Sequence, residues 1–133
     1  MMDIGLLLIR LLIGLLFIGH GAQKLFGMFG GHGVKGTGGF FESIGIKPGV
    51  MMAILAGLAE LIGGALFAAG LFMPVAAVLI AGTMAVAIIK VHGTNGLWVT
   101  ENGYEYNLVI IGTVIGIALI GAGNYSLNTL IFG

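Results

Sequence analysis

"LIRLLIGLLFIGHGAQKLFG", residues 8–27, decides how this chain is read. From residue 4 to residue 17 every position is apolar or glycine except Arg10, and then His20, Gln23 and Lys24 arrive within five positions. An apolar run of this kind is what a helix needs to cross a bilayer, roughly 17–25 residues. Three polar side chains crowded at its end must meet something other than lipid tails.

Composition supports the membrane reading. The chain has 133 residues, 59% hydrophobic and 8% charged, with a mean hydropathy of +1.17. Soluble domains carry about a quarter charged residues, so this is the composition of an integral membrane protein. The formal net charge is zero, which gives nucleic acid no electrostatic hold. Cysteine is absent, which excludes thiolate nucleophiles and thiolate metal sites, and no metal site is expected. The 26 glycines suit a bundle whose helix backbones approach closely.

Four segments are long enough to span, at about 4–26, 50–73, 75–91 and 104–121. Period-two alternation is absent, so the spans must be helices that satisfy their own backbone groups. The expected fold is all-α: one domain over residues 1–133, an integral membrane four-helix bundle with both termini on the same side. "GLFMPV" places Gly70 at one helix end and Pro74 at the next start, the asymmetry of a tight hairpin. The two longer connections, 27–49 and 92–103, then share one face. That face carries Lys24, Lys35, Lys47 and Lys90, whereas the other has Asp3, with Arg10 some way inside. Lysine-bearing short loops belong in the cytoplasm, so the termini are expected outside. "MMDIGLLLIR" lacks a basic start and a small-residue cleavage site, and is not expected to be a cleaved signal.

In the first connection, "GHGVKG" at 31–36 matches G-x-G-x-x-G. That pattern has meaning only after a strand in a βαβ unit, and here a membrane span precedes it. It reads as a flexible glycine loop, with no nucleotide site. Phe40, Phe41, Ile44 and Ile46 beside Glu42 and Lys47 read as a short amphipathic element in the headgroup layer, or as an ordinary loop with buried aromatics. His32 has no partner visible in sequence.

Depth organises the polar residues. At about 1.5 Å per residue from the terminus-bearing face, His20 lies roughly 24 Å in and Glu60 roughly 20 Å in. Lys90 and His92 come to about 22–25 Å, and Glu105 and Asn107 to about 21–24 Å. Every span thus brings a polar group to one layer in the loop-side half. On the first span Arg10, Phe17, His20 and Lys24 share one side. In "ILAGLAELIGG" Glu60 sits among Gly57, Gly63 and Gly64, a small-residue seam expected to face protein. An intramembrane ionisable group costs at least about 2.5–3.5 kcal/mol, which makes Glu60 a functional candidate. The expectation is that Glu60 faces His20, with Glu105 and Asn107 closing the pocket.

Simpler roles are open for each. Lys24, Lys90, His92 and Glu105 can snorkel to the headgroups, and Arg10 can reach the outer interface. Arg10 and Lys90 can equally serve a structural or ion-pair role. Glu60 can be a register-setting ion pair. Trp98, Tyr104 and Tyr106 suit an interfacial aromatic belt.

"LIRLLIGLLFIGHGAQKLFG", "FFESIGI", "AGLAELIGGALFAAG", "VHGTNGLWV" and "GYEYNL" together resemble the DoxX family of small four-helix bacterial membrane proteins, in order and spacing from Leu8 to about Leu127. The resemblance implies a bacterial inner-membrane protein of oxidoreductase type, in a family linked to quinones and other small redox molecules. It carries over positions without roles: His20, Gln23, Lys24, Glu60, His92, Glu105, Tyr106 and Asn107.

The leading expectation is a redox subunit that binds a quinone or quinol. Glu60 and His20 would be catalytic. Gln23, Lys24, His92, Glu105, Tyr106 and Asn107 would bind, supplying donors, a proton acceptor and ring contacts. With no cysteine and no nucleotide fold, electrons must come from a bound cofactor or a partner subunit. His20 and His92 could also ligate a haem b, a reading ranked below the quinone because two histidines rarely mean haem. A small-solute transporter or channel, or an assembly subunit without chemistry, stands as the alternative. Expected partners are the lipid bilayer, a redox subunit and further copies of the chain.

Overall fold

In the computed structural model the described residues, 1–132, form helices and turns without a strand. Helix α1 spans Met2–Phe26, α2 Gly33–Ser43, α3 Gly49–Ala69, α4 Met73–Ala87, α5 Glu105–Ile120 and α6 Leu127–Phe132. A π-turn, Ile88–His92, prolongs α4, and two short 3₁₀ turns follow before α5. The protein is a helical membrane bundle and crosses the membrane more than once. Helices α1, α3 and α4 with its extension are long and apolar enough to span, whereas α5 has 16 residues. At about 1.5 Å per residue, α5 covers roughly 24 Å of a core about 30 Å thick.

Three boundaries differ from the sequence reading. The second span ends at Ala69, not at residue 73. Gly70 takes a left-handed φ of 69°, and Leu71 N–H donates to Leu66 O at 3.0 Å while Gly70 N–H donates to Phe67 O at 3.2 Å. This Schellman closure stops the helix where glycine makes it cheap, and Pro74 then opens α4. The supposed flexible loop is largely helical, since α2 begins at Gly33 inside the glycine motif. Its glycines disfavour helix in isolation, so packing supplies the order: a Cβ on Gly38 would lie 2.9 Å from Val50 Cα. Helix α6 has no counterpart among the four spans.

The start of α1 meets the chain that follows α5. Asp3 accepts hydrogen bonds from Asn124 N–H at 3.1 Å and from Asn124 Nδ2 at 3.0 Å, tying the start of α1 to the chain beyond α5. Glycines bring α1 against α3. A Cβ on Gly14 would sit 2.6 Å from Gly64 O, and one on Gly21 2.7 Å from Gly57 O. The buried core, including Phe17, Phe67, Ala76, Ile80, Val114 and Ile117, lies in the half of the bundle nearer the termini. The loop-side half is not filled in this way.

Arg10 is buried, with 1% exposure. It reaches neither the outer interface nor a carboxylate. Its guanidinium donates to the carbonyls of Ala122, of Tyr125 at 2.7 Å and of Ala68 at 3.3 Å, all beyond or in the last turn of a helix. Such carbonyls have no intrahelical donor, and Arg10 satisfies three at once.

Candidate functional site

The layering expected from depth is present. Gly21 of α1 approaches Gly57 and Leu61 of α3, so His20 and Glu60 are level, and Gly63 approaches Leu79 and Ile80, so Glu60 is level with Thr83 and Met84. From α5, Asn107 Nδ2 donates to Met84 Sδ at 3.6 Å.

Rotation separates what depth aligns. Glu60 is buried at 1% exposure, among the buried glycines 57, 63 and 64, and its partner is Lys24, Nζ to Oε1 at 2.5 Å. The expected pairing of His20 with Glu60 is therefore not what the structure holds. His20 is exposed, its Nδ1 meets Gln23 Oε1 at 3.1 Å, and its ring packs edge-on to Phe17 with centroids 5.8 Å apart. Gln23 in turn donates from Nε2 to Phe29 O at 3.2 Å, fastening the turn after α1. Lys24 does not snorkel outward; it lies one turn past His20 on the side that meets α3, and its stem bends to the carboxylate. Among the described residues this is the one carboxylate–cation pair within 4.0 Å, so Lys90, which is exposed, takes part in none.

A cleft of about 620 Å³ opens in the loop-side half, lined by Lys24, Glu60 and His92. Its walls are Met52, Leu55, Ala56 and Ala59 of α3 and Val78, Leu79, Gly82, Thr83, Met84, Val86 and Ala87 of α4, and Phe40 and Phe41 of α2 roof it. Thr83 is the hydroxyl in the α4 wall, already donating to Leu79 O at 2.8 Å. The π-turn that follows α4 carries Val91 and His92 into the lining, in keeping with the frequent use of π-turns at functional sites. His92 Nδ1 meets Asn102 O at 2.9 Å, and Asn95 Nδ2 donates to the same oxygen at 3.0 Å, so the imidazole also anchors the loop before α5.

Of the other expected site residues, Glu105 accepts from Val99 N–H at 3.1 Å and closes its own loop. Tyr106 and Trp98 are 63% and 61% exposed, as interfacial aromatics would be. Asn107 is buried against Met84. None of Glu105, Tyr106, Asn107 or His20 lines the cleft, so the fourth span does not close it. His92 lines the cleft and His20 does not, so the cleft does not bring the two histidines together. The sequence reading missed the roof. Phe40 and Phe41 follow the packed face Thr37–Gly38 of a glycine-rich helix, and their adjacent rings were the available signal.

The DoxX family profile matches residues 5–93, the stretch that holds α1 to α4, the ion pair and the cleft. The chain belongs to the DoxX family. It is 36% identical over 130 residues to "Putative oxidoreductase CatD" of Bacillus subtilis, covering 98% of this chain and 89% of that one. It is 30% identical over 129 residues to "Inner membrane protein YqjF" of Escherichia coli, covering 97% and 93%. A Mycobacterium tuberculosis membrane protein is 32% identical over 130 residues, covering 90% and 77%. No solved structure matches the chain. For this DoxX protein the resemblance read from five sequence fragments is thus a family membership, and the chain is a membrane protein like its relatives.

Proposed function

We propose that the protein is an inner-membrane oxidoreductase-type subunit that binds a quinone, a quinol or a similar small redox-active ring in the loop-side cleft and works with a partner subunit. One observation carries the reading: a Lys24–Glu60 ion pair with a buried carboxylate stands in the wall of a cleft that is apolar apart from Thr83 and His92. A ring with two oxygens needs an apolar slot, a donor and a proton acceptor. Aliphatic side chains from α3 and α4 and the Phe40–Phe41 roof supply the slot. The Lys24 ammonium donates to a carbonyl oxygen, and the Glu60 carboxylate accepts from a hydroxyl. His92 offers a second polar contact at the far wall. The cleft volume of about 620 Å³ lies within the roughly 300–1,000 Å³ usual for small-molecule sites. The name of the Bacillus relative adds support for redox chemistry. Electrons must be exchanged with a group the chain's own cysteine-free side chains do not supply, hence the partner.

Titration of the purified protein with decylubiquinone, followed through the emission of its one tryptophan or by calorimetry, tests the reading. Glu60→Gln should fold and insert normally and weaken binding by about tenfold or more, the loss expected for a charge-assisted hydrogen bond. Equal affinity in parent and variant, or no binding by the parent, would overturn it. The proposal includes orientation. Lysine-bearing loops on the cytoplasmic side put the C-terminus outside, so a C-terminal reporter active only in the cytoplasm should be silent. A strong signal would reverse the orientation.

A further inference from the structure

A second cavity, of about 300 Å³, adjoins the cleft on the loop side, and the two share Lys24, Phe40 and Phe41. Its other walls are chemically unlike the cleft. Gln23, His32 and the buried Thr37 contribute an amide, an imidazole and a hydroxyl, with glycine backbone from the turn before α2. That turn is pressed on α1, where a Cβ on Gly31 would lie 2.5 Å from Gln23 Cα. His32 is exposed, whereas the buried Glu60 lines the cleft and not this cavity, and meets it only through its ion pair with Lys24, which lines both.

A buried carboxylate that gains and loses protons must exchange them with water, and the second cavity, which Lys24 shares with the cleft, has the more polar walls of the two. We infer that the second cavity is the water-filled route by which Glu60 exchanges protons with the aqueous phase on the loop side, with Lys24 as the link between the cavities and His32 as the proton-exchanging group at the mouth. The inference rests on the proposed redox reading for the need to move protons, but its deciding measurements, thiol labelling and Glu60 protonation, use no quinone.

The proton count closes with these groups alone. The Lys24 ammonium passes a proton through cavity water to the neutral His32 imidazole. The amine left behind takes the proton held by Glu60, restoring the carboxylate–ammonium pair. The imidazolium, on an exposed residue, then releases its proton to bulk water. The ionisable groups around the route are few. Lys24 comes from α1 and His92 from the turn after α4, α2 contributes Phe40 and Phe41 to the cleft, and its Lys35 and Glu42 are exposed.

The natural absence of cysteine makes the route directly testable. Thr37→Cys, with Gln23→Cys as a second position, should react with a charged, membrane-impermeant methanethiosulfonate, whereas Ala59→Cys in the cleft should react only with an apolar maleimide. In the same preparations, infrared absorption after photorelease of a caged proton follows protonation of Glu60, its band being identified by loss in Glu60→Gln. Occupying the cavity thiol should slow the rise of that band about tenfold or more, and His32→Gln should slow it while leaving thiol labelling unchanged. Decylubiquinone binding, measured separately, should survive His32→Gln. Labelling of both cavity cysteines by the apolar reagent alone would overturn the inference, as would an unaltered band after the thiol is occupied. Either result could coexist with intact quinone binding, and loss of quinone binding could coexist with a working route, so the two readings fail separately.

Discussion

Arg10→Ala is expected to destabilise the bundle by about 3–5 kcal/mol in detergent, an effect large enough to threaten accumulation in the membrane. The guanidinium donates to three carbonyls from two distant parts of the chain, Ala68 at the end of α3 and Ala122 and Tyr125 beyond α5. Truncation leaves the carbonyl of Ala122 buried and those of Ala68 and Tyr125 part-buried without donors, and a fully buried one costs about 1–3 kcal/mol. Relief of the arginine's own desolvation offsets part of that. Gly70 shows how closely the site is built, because a Cβ there would lie 2.8 Å from Arg10 Nη1. Arg10→Lys should recover only part of the loss, since one ammonium cannot reproduce the planar fork that spans separate carbonyls. Thermal unfolding in detergent measures the stability. Hydrogen exchange should also show residues 122–132 opening first in the alanine variant. Parent-like melting of Arg10→Ala would mean that the carbonyl clamp does not join α1 to the end of α5.

The membrane fold was legible because its causes are local. Apolar runs, the Gly70 and Pro74 punctuation and the glycines around Glu60 are each read within one segment, and each appears in the structure, with the second span ending at Ala69 rather than at residue 73. Depth was legible for the same reason, since rise per residue is fixed, and His20, Glu60 and Asn107 do fall in one layer. Rotation was not. Whether His20 or Lys24 meets Glu60 depends on which face of α1 the glycine seam turns toward α3. Gly14 and Gly21 decide that only once their partners Gly64 and Gly57 are in contact. Arg10 was legible only in part. The sequence left a structural role, an ion pair or the outer interface open for it, and its acceptors are backbone carbonyls, which every residue carries and no side-chain inventory reveals. Helix α2 failed because four glycines within it, at 33, 36, 38 and 39, argue against helix, and only packing on α3 overrides them.

Lys24→Met should destabilise the protein by about 3–5 kcal/mol, because it strands the Glu60 carboxylate in an apolar wall with its counter-charge gone. The pair is asymmetric, with the lysine side chain 26% exposed and the glutamate 2%, so the penalty falls on the buried partner. The double variant Lys24→Met, Glu60→Leu should recover most of that stability, since well-packed apolar residues often replace a buried ion pair at little cost or with gain. The two readings of the pair part at this point. A pair that only sets helix register would leave a repacked, stable double variant that still takes up decylubiquinone. A pair that holds the ring's oxygens and moves their protons would leave an equally stable protein that does not. Melting in detergent and decylubiquinone titration of the parent, the single variant and the double variant give both answers together. Stability restored with binding lost is the expected result. Restored stability with binding intact would remove Lys24 and Glu60 from the site, and a double variant as unstable as Lys24→Met would show that the loss does not arise from an uncompensated carboxylate.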